Sequence, residues 1–309
     1  MTLAVSRQDE GVRNKIRTSA SDKRFYFTVN LILGLVTLIV LVPLIFIVMA
    51  SFSAPEAVNS GKVLLWPVDF TLDGYKAVFK HKLLGVSYLN TFFYTIAGTA
   101  VNISMTMIAA YPLARKDLPF KGVILFLFTF TMLFSGGTIP TYILMGQLHM
   151  INTRWVMIIP GAISVYNMII ARTFLQNIPG ELEEAATIDG CSDFQYFFRI
   201  ALPLSGTVIA VLTLYYAVAH WNDYFTAFLY LSKREYYPLQ IVLREVLIAN
   251  SVSANDIADM DAETMLARQG MKDLLKYGLI IVSSAPILAL YPFVRKYFLK
   301  GVMIGALKG

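Results

Sequence analysis

Six stretches of this chain are apolar over roughly the thickness of a lipid bilayer, and this restricts the fold more than anything else in the sequence. A hydrocarbon core about 30 Å thick needs roughly 20 apolar residues in a helix. Within that layer, backbone N–H and C=O groups must find partners inside the protein. The stretches run from about Phe25 to Ala50, Tyr88 to Tyr111, Gly122 to Leu144, Trp155 to Ala171, Leu204 to Trp221 and Tyr277 to Phe298. They predict an all-α membrane protein with six transmembrane helices. Pro43, Pro140, Pro160 and Pro286 fall inside the predicted spans and are expected as kinks. The fourth stretch is the shortest and carries Pro160 and Gly161. Only 15% of the residues are charged, against about 25% in soluble domains.

Orientation follows from lysine and arginine beside the spans. Arg7, Arg13, Lys15, Arg17, Lys23 and Arg24 precede the first, and Arg115, Lys116 and Lys121 follow the second. Arg295, Lys296, Lys300 and Lys308 close the chain. With six spans all three groups lie on one side, which puts both termini in the cytoplasm. Lys62, Lys76, Lys80 and Lys82 in the opposite loop weaken the contrast without reversing it. The expected organisation is a tail over 1–24, a spanning domain over 25–300 and a tail over 301–309. A long outer loop occupies about 222–276, in which Ser251 to Met265 is a helix or a mobile loop. Residues 1–24 are polar and basic and the first apolar run is too long for a cleavable signal. The net charge of +6 sits at these flanks rather than on one face, which argues against nucleic acid. The single cysteine, Cys191, excludes an intramolecular disulfide framework.

Between the fourth and fifth stretches lies a water-compatible segment, about 179–203. Pro179-Gly180 breaks the chain. Glu181, Glu183 and Glu184 then occupy the first turn of a predicted helix, where acids favour the positive end of the dipole. Gly190 is placed to end that helix in the left-handed conformation. Ser192 with Gln195 reads as a capping box for a second helix carrying Phe194, Tyr196, Phe197 and Phe198. Pro203 is expected early in the fifth span. From the residues alone two readings stand: an amphipathic surface helix, or a docking helix for a soluble partner. An exposed Ala185-Ala186 pair, and five acids (Glu181, Glu183, Glu184, Asp189, Asp193) facing only Arg199 within the loop, suit close approach by a basic cleft.

Glu184-Ala185-Ala186, Asp189-Gly190 and Ile200-Ala201-Leu202-Pro203 together form the pattern E-A-A-x3-G-x9-I-x-L-P. This resembles the signature of permease subunits of bacterial ATP-binding-cassette (ABC) importers. Trp221-Asn222-Asp223-Tyr224-Phe225 and the tail from Lys300 to Gly309 look like the carbohydrate branch, similar to maltose-type inner subunits. Tyr237-Pro238-Leu239-Gln240, with Arg244, is similar to permeases for oligosaccharides and polysaccharide fragments. The likeness covers most of the chain from the first stretch onward. It implies a type I importer permease fold in a bacterial cytoplasmic membrane, with Glu184, Ala185, Ala186, Asp189, Gly190, Ile200, Leu202 and Pro203 docking onto an ATPase. It also implies two ATPase subunits that carry Mg-ATP, a second permease, different or identical, an extracytoplasmic solute-binding protein and a carbohydrate substrate. This chain would then hold no cofactor or metal of its own.

Polar residues inside spans are costly and often functional. Tyr215, Tyr216, His220 and Asn222 cluster near the outer end of the fifth stretch, where ring faces and hydrogen-bonding edges suit sugars. Ser135, Thr138, Tyr142 and Asn167 are further candidates for the pathway. Single serines and threonines such as Ser104, Thr106 and Thr141 more simply bond helix to helix. Ser135-Gly136-Gly137-Thr138-Ile139-Pro140 interrupts the third stretch as a kink or an unwound segment. No catalytic motif is present: His81, His149 and His220 are scattered, and neither HExxH nor GxxxxGK[ST] occurs. An ion-coupled secondary transporter is the rival reading, and the lack of a mid-span acid counts against proton coupling. Within the importer class, a non-sugar solute is the alternative.

Overall fold

The computed structural model describes residues 19–80, 82–252, 270 and 273–289, which are helical or irregular with no strand among them. Residues 1–18 of the predicted 1–24 tail, the tail over 301–309, most of the Ser251–Met265 segment, and residues 290–298 of the sixth stretch lie outside the described residues.

Helix α1 (Ala20–Ser51) begins with a capping box between Ser19 and Asp22 and runs through Pro43 without a break. None of its most apolar 18-residue window is buried. Toward its end the Phe46 ring meets Tyr277 edge-on at 5.9 Å, the Ser51 and Tyr75 hydroxyls meet at 2.8 Å, and Ser53 Oγ accepts from Val68 N–H. Two short helices follow, α2 (Pro55–Asn59) and α3 (Asp73–Lys80). Helix α4 (Leu84–Ala114) is the centre of the molecule. Its buried stripe, which includes Ser87, Asn90, Thr91, Tyr94, Gly98, Asn102 and Thr106, recurs at steps of three or four and is small or polar. Small and hydrogen-bonding residues suit helix contacts where lipid removes the hydrophobic drive to associate.

The third apolar stretch is two helices, α5 (Lys121–Leu133) and α6 (Thr138–Gln147), bent by 110°. Gly137 supplies the left-handed φ of +87° at the break. Pro140 sits in the first turn of α6, where a missing N–H costs nothing, and is not a kink. The fourth stretch also differs from expectation. It holds a 3₁₀ turn over Arg154–Met157, an irregular segment with Pro160 and Gly161, and then α7 (Val165–Leu175). Side chains satisfy the unwound part: Asn102 Nδ2 donates to the Gly161 carbonyl and the Ser164 N–H donates to the Tyr216 hydroxyl. Non-helical backbone survives at membrane depth only under such cover.

Helices α8 (Gly180–Ile188) and α9 (Asp193–Tyr196), a π turn over Phe197–Ala201, and α10 (Leu202–Leu204) precede α11 (Gly206–Asn222). The bend into α11 is 77°. Pro203 therefore ends the arm before the bend and does not open the fifth span. Helices α12 (Phe225–Tyr230) and α13 (Leu239–Val252) follow, and residues 273–289 are helical. This last segment packs at Trp221, whose Nε1 donates to the Ser283 carbonyl. Among the described residues, two helices are long and apolar enough to cross a membrane, or four if each bent pair is one span.

One core joins the end of α4 to α7, the 179–204 hairpin and α11. A second, at the far end of α4, gathers Tyr94, Met157, Ile158 and Tyr230. There Asn90 binds the Glu235 and Tyr237 carbonyls, and Thr91 accepts from Leu239 N–H.

Candidate functional site

The hairpin is built from local signals. Helix α8 starts after Pro179 with Glu181 and Glu183 in its first turn. It ends in a left-handed turn at Gly190, φ +78°. Cys191 N–H bonds to the Ala186 carbonyl at 2.9 Å and Gly190 N–H to the Thr187 carbonyl at 3.0 Å. These two bonds form the double closure of a Schellman motif, which satisfies carbonyls that the helix end leaves bare. The Ser192–Gln195 capping box then starts α9 as the sequence predicts. A side chain at position 190 would meet nothing within 4 Å, so the backbone angle alone demands glycine.

The signature residues divide between two faces. Glu184, Ala185, Asp189 and Gly190 are exposed, whereas Ala186 is buried in the core against α4 and α7. The expected exposed Ala185-Ala186 pair is thus one outward and one inward alanine. Ile200 and Leu202 are half-buried behind the π turn and Pro203 is exposed. The outward face of α8 also carries Leu182 and Ile188, and Ile188 is 86% exposed. The sequence reading missed both, although their spacing from Ala185 was the available signal. This face is apolar at its centre and rimmed by Glu181, Glu184 and Asp189.

Two of the five acids, Glu183 and Asp193, meet a cation from outside the loop. Arg115, just past the end of α4, binds Asp117 at 2.9 Å, Glu183 at 3.1 Å and Asp193 at 2.7 Å. Its N–H also donates to the Tyr111 hydroxyl at 3.3 Å. The hydrogen bond from Arg115 holds the Asp117 carboxyl below its ordinary pKa. Nearby, Arg172 donates to the Leu113 carbonyl and Lys121 to the Ala114 and Arg115 carbonyls, so cations cover the negative end of α4.

The second candidate region is an open cavity of about 690 Å³ between α4, α7, α11 and the 134–138 break. Of the predicted pathway residues, Ser135, Thr138, Asn167, Tyr215, Tyr216 and His220 line it. Tyr142 does not reach it and stacks at 5.8 Å on Tyr230, which does. Asn222 lies outside, with its amide turned back to the Val218 carbonyl. The Tyr216 hydroxyl is engaged by Thr106 at 2.7 Å and by Ser164 N–H, so it joins three segments instead of facing the cavity with a vacant group. His220 Nε2 lies 2.6 Å from Asn102 Oδ1. Because Asn102 spends its amide N–H on Gly161, its oxygen accepts, which places the histidine proton on Nε2. Gly98 makes this contact possible: a Cβ there would lie 2.4 Å from His220 Nε2. The cavity thus offers aromatic faces with hydroxyl, amide and imidazole edges. No group of three or more metal-binding side chains occurs among the described residues.

Comparison with known proteins places this arrangement. The family model described as binding-protein-dependent transport system inner membrane component matches residues 17–253. The polygalacturonan/rhamnogalacturonan transport system permease protein YtcP of Bacillus subtilis is 42% identical over 88% of this chain and 94% of its own length. The maltodextrin transport system permease protein MalD of Streptococcus pneumoniae is 26% identical over 88% of this chain and 92% of its own. A crystal structure of a bacterial ABC transporter involved in the import of the acidic polysaccharide alginate contains a chain that superposes with a TM-score of 0.81. That chain is 31% identical, over 91% of this chain and 99% of its own. On this match of sequence and fold, the chain belongs to the family of binding-protein-dependent transport system inner membrane components.

Proposed function

We propose that this chain is one of two transmembrane subunits of an ABC importer that carries an oligosaccharide or polysaccharide fragment into the cytoplasm. It crosses a bacterial cytoplasmic membrane six times with both termini inside, and the 179–203 hairpin lies in the cytoplasm. Each of two ATPase subunits, holding Mg-ATP, receives one hairpin. The second permease carries the other hairpin and closes the open side of the cavity. An extracytoplasmic binding protein delivers substrate at the outer face. This chain hydrolyses nothing: its work is a shift between inward- and outward-open states, driven by how differently its partners bind the two.

The observation that carries this reading is the outward face of α8, where Leu182, Ala185 and Ile188 stand exposed inside a ring of acids. The small Ala185 admits close approach, Ile188 gives an anchor for an apolar pocket, and the acids select a basic rim. A saccharide substrate is supported by the named substrates of the relatives and by a cavity that pairs tyrosine faces with directional polar edges. The test is capture of the ATPase by the purified permease pair. Ile188→Glu and Glu184→Lys are expected to lose it while both permeases remain inserted and paired. Full retention in both variants would remove the docking assignment.

A further inference from the structure

The hairpin is joined to the rest of the molecule at two covalent points, and both are interrupted. Toward α7 the chain leaves the helix at Gln176 and passes through Pro179. Toward α11 it runs through a π turn and a 77° bend at Ser205. A rigid push along either connection is absorbed at these breaks. Beyond the chain itself, the hairpin meets the spans through the core it shares with α4, α7 and α11, and through polar contacts at the α4–α5 corner. The aromatic contact of Tyr111 with Phe197, 4.9 Å between centroids, is apolar packing without a fixed direction. Arg115 adds the directional, charged contact across the same gap. Its guanidinium grips Glu183 on α8 and Asp193 on α9 together, and Asp117 on its own loop holds it in place with two bonds at 2.9 Å.

We propose that Arg115 is a positioning residue that tethers the docking hairpin to the α4–α5 corner, so that α4 and α5 follow the hairpin when it is pulled as well as when it is pushed. The proposal rests on the docking reading above. Ion pairs of this exposure add little to stability. The function of this set is geometric: one residue from the spanning core holds both arms of a hairpin that has no unbroken helix to hold it. Three carboxylates converge on one guanidinium. Removing the cation leaves like charges facing one another across the gap, which favours separation.

The complete transporter in liposomes, with its binding protein and ATPase, separates this role from docking. ATPase retention through purification reads docking, and substrate moved per ATP hydrolysed reads coupling. Arg115→Ala is expected to retain the ATPase and to lower substrate moved per ATP by about tenfold, within the usual range for coupling between sites. Arg115→Lys should recover only part, because a point charge cannot fork to two carboxylates. Glu183→Gln with Asp193→Asn, keeping Arg115, should repeat the loss and so show that the pairs matter and not the corner's fold. An unchanged ratio in Arg115→Ala overturns the proposal. So does release of the ATPase by Arg115→Ala, which would make Arg115 part of the docking face. ATPase retained by Ile188→Glu would instead overturn the docking reading itself.

Discussion

Tyr215 and Tyr216 are adjacent in the chain but use their side chains differently. Tyr215 is 39% exposed on the cavity wall, whereas Tyr216 is buried with its hydroxyl bonded to Thr106 and Ser164. Tyr216→Phe leaves the Ser164 N–H without that partner, at a cost of about 1–3 kcal/mol. It is expected to lower the Tm of the purified complex and to leave sugar preference unchanged. Tyr215→Ala should do the opposite, with slower uptake at nearly constant Tm. Equal effects of the two on both measurements would contradict this division. The sequence grouped these tyrosines with His220 and Asn222 because all share one end of an apolar run. It carried no sign of which face each occupies, since a helix apolar all round has no periodicity to read. The same limit hid Gly98, whose bare Cα accommodates the His220 ring from 122 positions away. Arg115 was legible as a flanking charge, but its partners at 183 and 193 come from a fold that no local pattern encodes.

At the scale of elements, the hairpin was the most legible part of the chain because short-range chemistry builds it. Pro179, Gly190 and the Ser192–Gln195 box all act within four residues of their targets. Gly190→Val forces a β-branched residue to φ +78°, with strain of about 1–3 kcal/mol. The expected outcome is a displaced α8 that releases the ATPase, while the permease still inserts and pairs with its partner. Retention of the ATPase, with normal stimulation by substrate, would contradict it. The third and fourth apolar runs were less legible. Hydropathy counts residues and cannot see that Gly137 turns the chain by 110°, or that Asn102 and Tyr216 compensate an unwound segment between Ile158 and Ser164. Pro140 and Pro160 carried the signal, one marking a helix start and the other a break, but proline alone does not distinguish these from a kink.

On the scale of the whole molecule, the proposed orientation rests on the apolar runs and basic flanks, and labelling can check it. After Cys191→Ser, single cysteines at Ser60 and Ser192 should behave oppositely toward an impermeant reagent outside intact cells. Ser60Cys is expected to react and Ser192Cys to be protected, and the reverse pattern would invert the topology. On the proposed function, the open cavity and the bare length of α1 are to be covered by lipid and by a second permease chain. The account's central claim is that energy enters through a separate ATPase at the hairpin. Uptake by proteoliposomes holding both permeases and the binding protein tests it most directly, measured with and without the ATPase. The account predicts accumulation only when the ATPase and ATP are both present on the hairpin side. Sustained accumulation driven by an ion gradient without the ATPase would contradict it.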